Sequence, residues 1–148
     1  MFTHILVPTD GGPLSRKAAA AAVKLAKDLN ARITGVHATP PFVPLYYEGM
    51  APPAELVSPT IHKKAMQRHA SRVLATLGKM CAAAGVTFEG VHVPDQDPYS
   101  AVINVAKRKR CDLILMASHG RRGVAGLLLG SETQKVLTHT KIPVMVYR

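Results

Sequence analysis

Short apolar runs alternate along this chain with longer stretches in which apolar residues return every three or four positions. The first run, His4 to Val7, ends at Pro8 and the turn cluster Asp10-Gly11-Gly12-Pro13, which predicts a buried strand that stops abruptly. Pro13 suits the first position of a helix, and from Ser15 to Leu29 the residues Ala18, Ala22, Leu25 and Leu29 keep helical spacing. Ala31 to Ala38, with Ile33 and Val36 as its larger members, predicts the second strand. Thr39 to Pro59 then breaks the pattern, because Pro40, Pro41, Pro44, Pro52, Pro53 and Pro59 leave no room for a regular interior element. Loops of this length are often lids or binding loops. Phe42, Tyr46 and Tyr47 could cover a ligand there or pack against the domain or a partner.

Ser58 before Pro59 has the form of an N-cap and first helical turn, and Met66, Ala70, Val73, Leu77, Met80 and Ala84 follow at helical steps until Gly85 stops them. Val86 to Val93 predicts a third strand. Asp97-Pro98 repeats the cap-and-proline signal and opens a short helix with Tyr99, Val102, Ile103 and Ala106 inward. Its basic end, Lys107 to Arg110, complements the helix dipole. Leu113 to Met116 is a continuous apolar run of the kind buried on both faces of a sheet. Ser131 to Thr138 predicts a final helix and Val144 to Val146 a last strand. Strands alternating with helices imply crossover connections and an α/β, doubly wound, mostly parallel sheet. In such sheets ligands sit beyond the carboxyl ends of the strands, where the winding reverses. That singles out two turns, Pro8 to Pro13 and Ala117 to Ser131.

Composition narrows the class. A chain of 148 residues fits a single domain, 1–148, and at that size buries roughly 70% of its unfolded surface without needing staples. Cys81 and Cys111 lack metal or redox spacing and read as reduced, buried thiols. The opening MFTHILVPTD is no secretory signal, and no stretch approaches the roughly 18 apolar residues of a membrane span. Cytoplasmic residence is therefore expected. A net charge of +10 attracts anions at long range. Most of the cations, including Lys24, Lys63, Lys64, Arg68 and Arg72, fall on helical stretches and read as a solvated face. With no Trp and few other aromatics to stack bases, nucleic-acid binding is disfavoured.

The second turn carries the strongest chemistry. It reads MASHGRRGVAGLLLGSETQ, after a buried strand and into a helix. Gly120, Gly123 and Gly126 permit a tight chain whose amides approach an anion, and Gly130-Ser131 ends at a helix N-terminus, where phosphate is favoured. Ser131 and Gln134 also match a capping box, so Ser131 can either cap the helix or meet phosphate. Arg121 and Arg122 could clamp phosphate or stand in solvent. His119 has no Ser/His/Asp spacing around it, which favours a structural or contact role over proton transfer. At the first turn, Asp10 after Thr9 could accept from ribose or adenine, or form an Asx turn. No GxxxxGK[ST] and no strand-following GxGxxG occurs, and DGGPLS from Asp10 to Ser15 only loosely matches the loop of pyrophosphate-forming ATP enzymes.

Over essentially its whole length the chain resembles the universal stress protein family, in HILVPTDGGPLSRKA at the start, DLILMASHGRRGVAGLLLGS late and KIPVMVYR at the end. The family's G-x2-G-x9-G-[S/T] pattern falls on Ala117, Gly120, Gly130 and Ser131, with both spacings kept and the first glycine replaced. The resemblance implies a five-stranded sheet of order 3-2-1-4-5, a homodimer through the last strand, and ATP, ADP or AMP held between the end of the first strand and the Gly-rich loop. Carried onto this chain, it places Pro8, Thr9 and Asp10 by the adenosine and Ala38 and Met116 by the adenine. Ala117, His119, Gly120, Gly130, Ser131, Glu132 and Thr133 fall around the phosphates. Any Mg²⁺ would rest mainly on phosphate oxygens and water, with Asp10 as the one candidate carboxylate, since Ala117 to Ser131 contains no Asp or Glu. The implied role is a nucleotide-binding stress-response regulator without efficient catalysis. The alternatives are an interaction module with an empty pocket and a slow ATPase.

Overall fold

The computed structural model describes residues 1–44, 49, 52–53, 57–120 and 129–148. Tyr46, Tyr47, Arg121, Arg122, Gly123 and Gly126, singled out above, lie outside the described residues. Five strands form one sheet: β1 (His4–Pro8), β2 (Arg32–Thr39), β3 (Phe88–Pro94), β4 (Leu113–Ala117) and β5 (Val144–Tyr147). Their order is β3-β2-β1-β4-β5, with every pairing parallel. Among the described residues, four helices make the crossovers: α1 (Pro13–Leu29), α2 (Pro59–Ala84), α3 (Pro98–Lys109) and α4 (Ser131–His139).

Side chains alternate across a strand, so each central strand feeds two cores. Ile5, Val7, Ile33, Leu113 and Leu115 point toward α1 and α2, where Ala18, Ala22, Ala26, Leu77 and Cys81 meet them. Leu6, Val36, Ile114 and Met116 point the other way, toward Val102, Val105 and Ala106 of α3 and Val136 of α4. The continuous apolar runs of β1 and β4 are thus explained by burial on both faces.

Helix ends follow one device three times. Asn30, Gly85 and Arg110 adopt left-handed backbone after α1, α2 and α3. The next amide then donates five residues back: Ala31 to Ala26, Val86 to Cys81 and Cys111 to Ala106, at 2.8, 2.9 and 2.8 Å. This cap consumes Ala31 and Val86, which is why β2 and β3 begin one and two residues later than the apolar pattern suggests. Ser58 caps α2 as expected, its hydroxyl accepting from the Ile61 amide at 3.3 Å. Asp97 stands at the N-cap of α3 but its side chain makes no cap bond.

Both cysteines are buried and unbridged, and burial pushes each thiol up to about 11. No helix among the described residues is long and apolar enough to cross a membrane.

Candidate functional site

β1 lies between β2 and β4, and the chain leaves it toward α1 on one face while β4 feeds α4 on the other. This reversal opens a crevice at the carboxyl ends. A cavity of about 230 Å³ fills it. Pro8, Thr9 and Asp10 line it from β1, Val36, His37 and Ala38 from β2, and Met116, Ala117, His119 and Gly120 from β4. Pro98, Tyr99 and Val102 of α3 and Glu132, Thr133 and Val136 of α4 form the far wall. Most residues predicted for the site therefore meet here. Gly130 and Ser131 stand just before this lining, as the N-cap and first residue of α4.

The first turn is tied down by its own polar groups. The Thr9 amide donates to the Val36 carbonyl at 2.9 Å, and His37 Nδ1 donates to the Thr9 carbonyl at 2.7 Å. The Thr9 hydroxyl accepts from Ser15 Oγ at 2.9 Å and from the Gly11 amide at 3.2 Å, while Ser15 Oγ accepts from the Asp10 amide at 3.3 Å. Asp10 Oδ1 accepts from the Gly12 amide at 2.8 Å, so the Asx turn forms and the carboxylate still lines the cavity. Gly11, with φ of +74°, supplies the left-handed step that the turn needs.

The second turn is stapled across the sheet. Ser118 donates its amide to the Tyr147 carbonyl at 2.7 Å and accepts from the Gly130 amide at 2.7 Å. The Thr133 hydroxyl donates to the Ala117 carbonyl at 3.1 Å. These bonds hold the start of α4 against the end of β4. Ala117 ends a strand and is not among the residues with positive φ. An alanine there carries no backbone penalty, although the family pattern has glycine. Gly120 and Gly130 both sit in close quarters. A Cβ on Gly120 would lie 2.9 Å from Asp10 Oδ2, and one on Gly130 would lie 3.1 Å from His119 Cα.

The capping box that Ser131 and Gln134 could form is absent, because the N-cap is Gly130 and carries no side-chain cap. Ser131 is one residue inside the helix, and Gln134 Nε2 donates instead to the Leu129 carbonyl at 3.2 Å. The opening amides of α4 have no carbonyl four residues back within the helix, and Glu132 and Thr133 of this first turn line the crevice. Phe42 does not line the cavity; its ring packs 5.6 Å from that of His62 on α2. His37 and the apolar wall of Val36, Tyr99, Val102 and Val136 were not anticipated as site residues. Tyr99 and Val102 were legible only as inward positions of a helix. Among the described residues, no group of three or more His, Cys, Asp or Glu could hold a metal ion.

The crevice and the parallel order define a doubly wound α/β protein with a cavity at its switch point. Comparison with known proteins gives that class a family. The sequence profile of the universal stress protein family matches residues 1–148. A universal stress protein of Thermus aquaticus, encoded beside a QAH/OAS sulfhydrylase, is 31% identical over 148 residues, covering 100% of both chains. Among solved structures, protein MJ0577 superposes with a TM-score of 0.78 at 21% identity over 99% of this chain and 96% of that one. A universal stress protein solved in complex with cAMP superposes at 0.71 with 23% identity, over 99% and 97%. The chain belongs to the universal stress protein family.

Proposed function

We propose that this chain is a cytoplasmic regulatory protein that binds an adenine nucleotide, ATP, ADP or AMP, in the crevice and does no efficient chemistry on it. The observation that carries the reading is the convergence at Gly120. Its missing side chain lets the β4 turn lie against the Asp10 carboxylate, beside the opening amides of α4. An anion would lie against Gly120 and Gly130 and meet the amides of Ser131 and Thr133, the Gly130 amide being engaged with Ser118 and the Thr133 hydroxyl with Ala117. The nucleoside would extend toward Pro8, Thr9 and Asp10, with Ala38 and Met116 flanking the base. The cAMP-bound neighbour supports an adenine ligand. Mg²⁺ would be carried on the phosphates, for want of a protein cage among the described residues.

Assembly as a homodimer through β5 belongs to the same proposal. β5 is an edge of the sheet, and Met145 on it is 44% exposed, an arrangement that invites strand or side-chain pairing with a second copy. Light scattering on the purified protein tests it, and a monomer at micromolar concentration would refute it.

Thermal melting with added nucleotide tests the ligand. At a concentration 100 times the dissociation constant, stabilisation of about 2.7 kcal/mol is expected. A melt unmoved by ATP, ADP and AMP, together with no nucleotide extractable from the native protein, would instead mark an interaction module with an empty crevice.

A further inference from the structure

Resting on the nucleotide reading above, we propose that Glu132 is a charge filter, which occupies the anion position at the N-terminus of α3 and restricts the crevice to ligands with a single phosphate. Two helix N-termini open on this cavity, through Pro98 and Tyr99 of α3 and through Glu132 and Thr133 of α4. Each would ordinarily welcome negative charge. At α3 the place is taken. Pro98 has no N–H, so Tyr99 offers the first amide, and it donates to Glu132 Oε2 at 2.8 Å. The local candidate, Asp97, makes no side-chain cap.

The carboxylate is fastened from its other side as well. Glu132 Oε1 accepts from Lys135 Nζ at 3.0 Å, and that ammonium lies 5.2 Å from the centroid of the Tyr99 ring. Glu132 thus lines the crevice wall, bonded by an amide and by an exposed ammonium. It also follows Ser131 directly, on the same turn whose amides would receive a phosphate. One phosphate gains those amides. A second and third must find room in a small crevice that already holds a carboxylate, next to apolar Val102, Met116 and Val136 that screen charge poorly. The preferred class is therefore the nucleoside monophosphate, open or cyclic, over the di- and triphosphate.

The test is calorimetric titration of AMP, ADP and ATP, with EDTA present, into wild type and Glu132→Gln. Glutamine keeps an acceptor for the Tyr99 amide and removes the charge. Wild type should bind AMP more tightly than ATP. The variant should gain roughly tenfold for ATP, less for ADP and least for AMP, the order expected of like-charge repulsion at short range. That spread should shrink in high salt. A merely structural role would move all three affinities by one factor, and that result would overturn the filter. Wild type that prefers ATP over AMP overturns it too, and needs no variant to fold. Failure of all three nucleotides, and of adenosine, to bind wild type would instead sink the nucleotide reading on which the filter depends.

Discussion

The two walls of the crevice are built on opposite principles. On the β1 side, Thr9, Asp10 and Ser15 bond to one another and to the amides of Gly11 and Gly12, so the turn satisfies itself before any ligand arrives. On the β4 side, the N-cap is a glycine with no side chain to offer, and the helix start is held from outside through Ser118 and Ala117. One wall supplies a fixed shape. The other presents helix-opening amides at a place where no local side chain caps them, which is the configuration that rewards an incoming anion.

Substitutions can break this contrast in graded steps. The largest effect should come from Gly130→Leu, whose Cβ meets the His119 main chain. Nucleotide affinity is expected to fall at least ~100-fold, measured by titration, since the helix start must move away from the crevice. Next comes Ser15→Ala on the opposite wall. It removes a donor to Thr9 and an acceptor for Asp10, and denaturant unfolding should show a loss of about 2 kcal/mol, the usual cost of stranding buried polar partners. Thr133→Val should cost about 1 kcal/mol by the same measurement, because it loses only the bond to the Ala117 carbonyl.

The smallest effect concerns pH. Burial, and then Arg32, holds the His4 imidazole below its ordinary pKa, and burial followed by His37 does the same for His92. The unfolded chain then binds more protons than the native one in the interval between the depressed value and about 6.5. Stability is complete above that interval and is lost as pH falls through it. Asp112 adds a further loss at lower pH. Burial raises its carboxyl, but the amides of His4 and Thr3 and the Thr3 hydroxyl outweigh burial and hold it below the ordinary value. Melting temperatures from pH 7.5 to 5 should therefore decline, and less steeply in His4→Asn, while both walls of the crevice keep their bonds.

The fold was legible because its signals are local. Buried runs marked β1 and β4, Pro13, Pro59 and Pro98 marked helix starts, and Gly85 marked an end. The two turns at the crevice were legible for the same reason, as glycines placed after strands. The far wall was not. Tyr99 meets Glu132 across 33 positions, and no spacing within either helix announces that pairing. There a distant carboxylate displaced the expected capping role of Asp97, and a glycine N-cap displaced that of Ser131. Local rules name the groups able to cap a helix, whereas packing decides which one arrives.

The backbone of Ser118 has a consequence of its own. Its N–H reaches the Tyr147 carbonyl and its C=O receives Gly130, so the C-terminal strand and the start of α4 hang from the two successive peptide planes that meet at one residue. Deuterium uptake at the Ser118 and Gly130 amides should slow together when the crevice is filled. An occupied crevice would then be felt at the outer rim of the sheet through one buried residue.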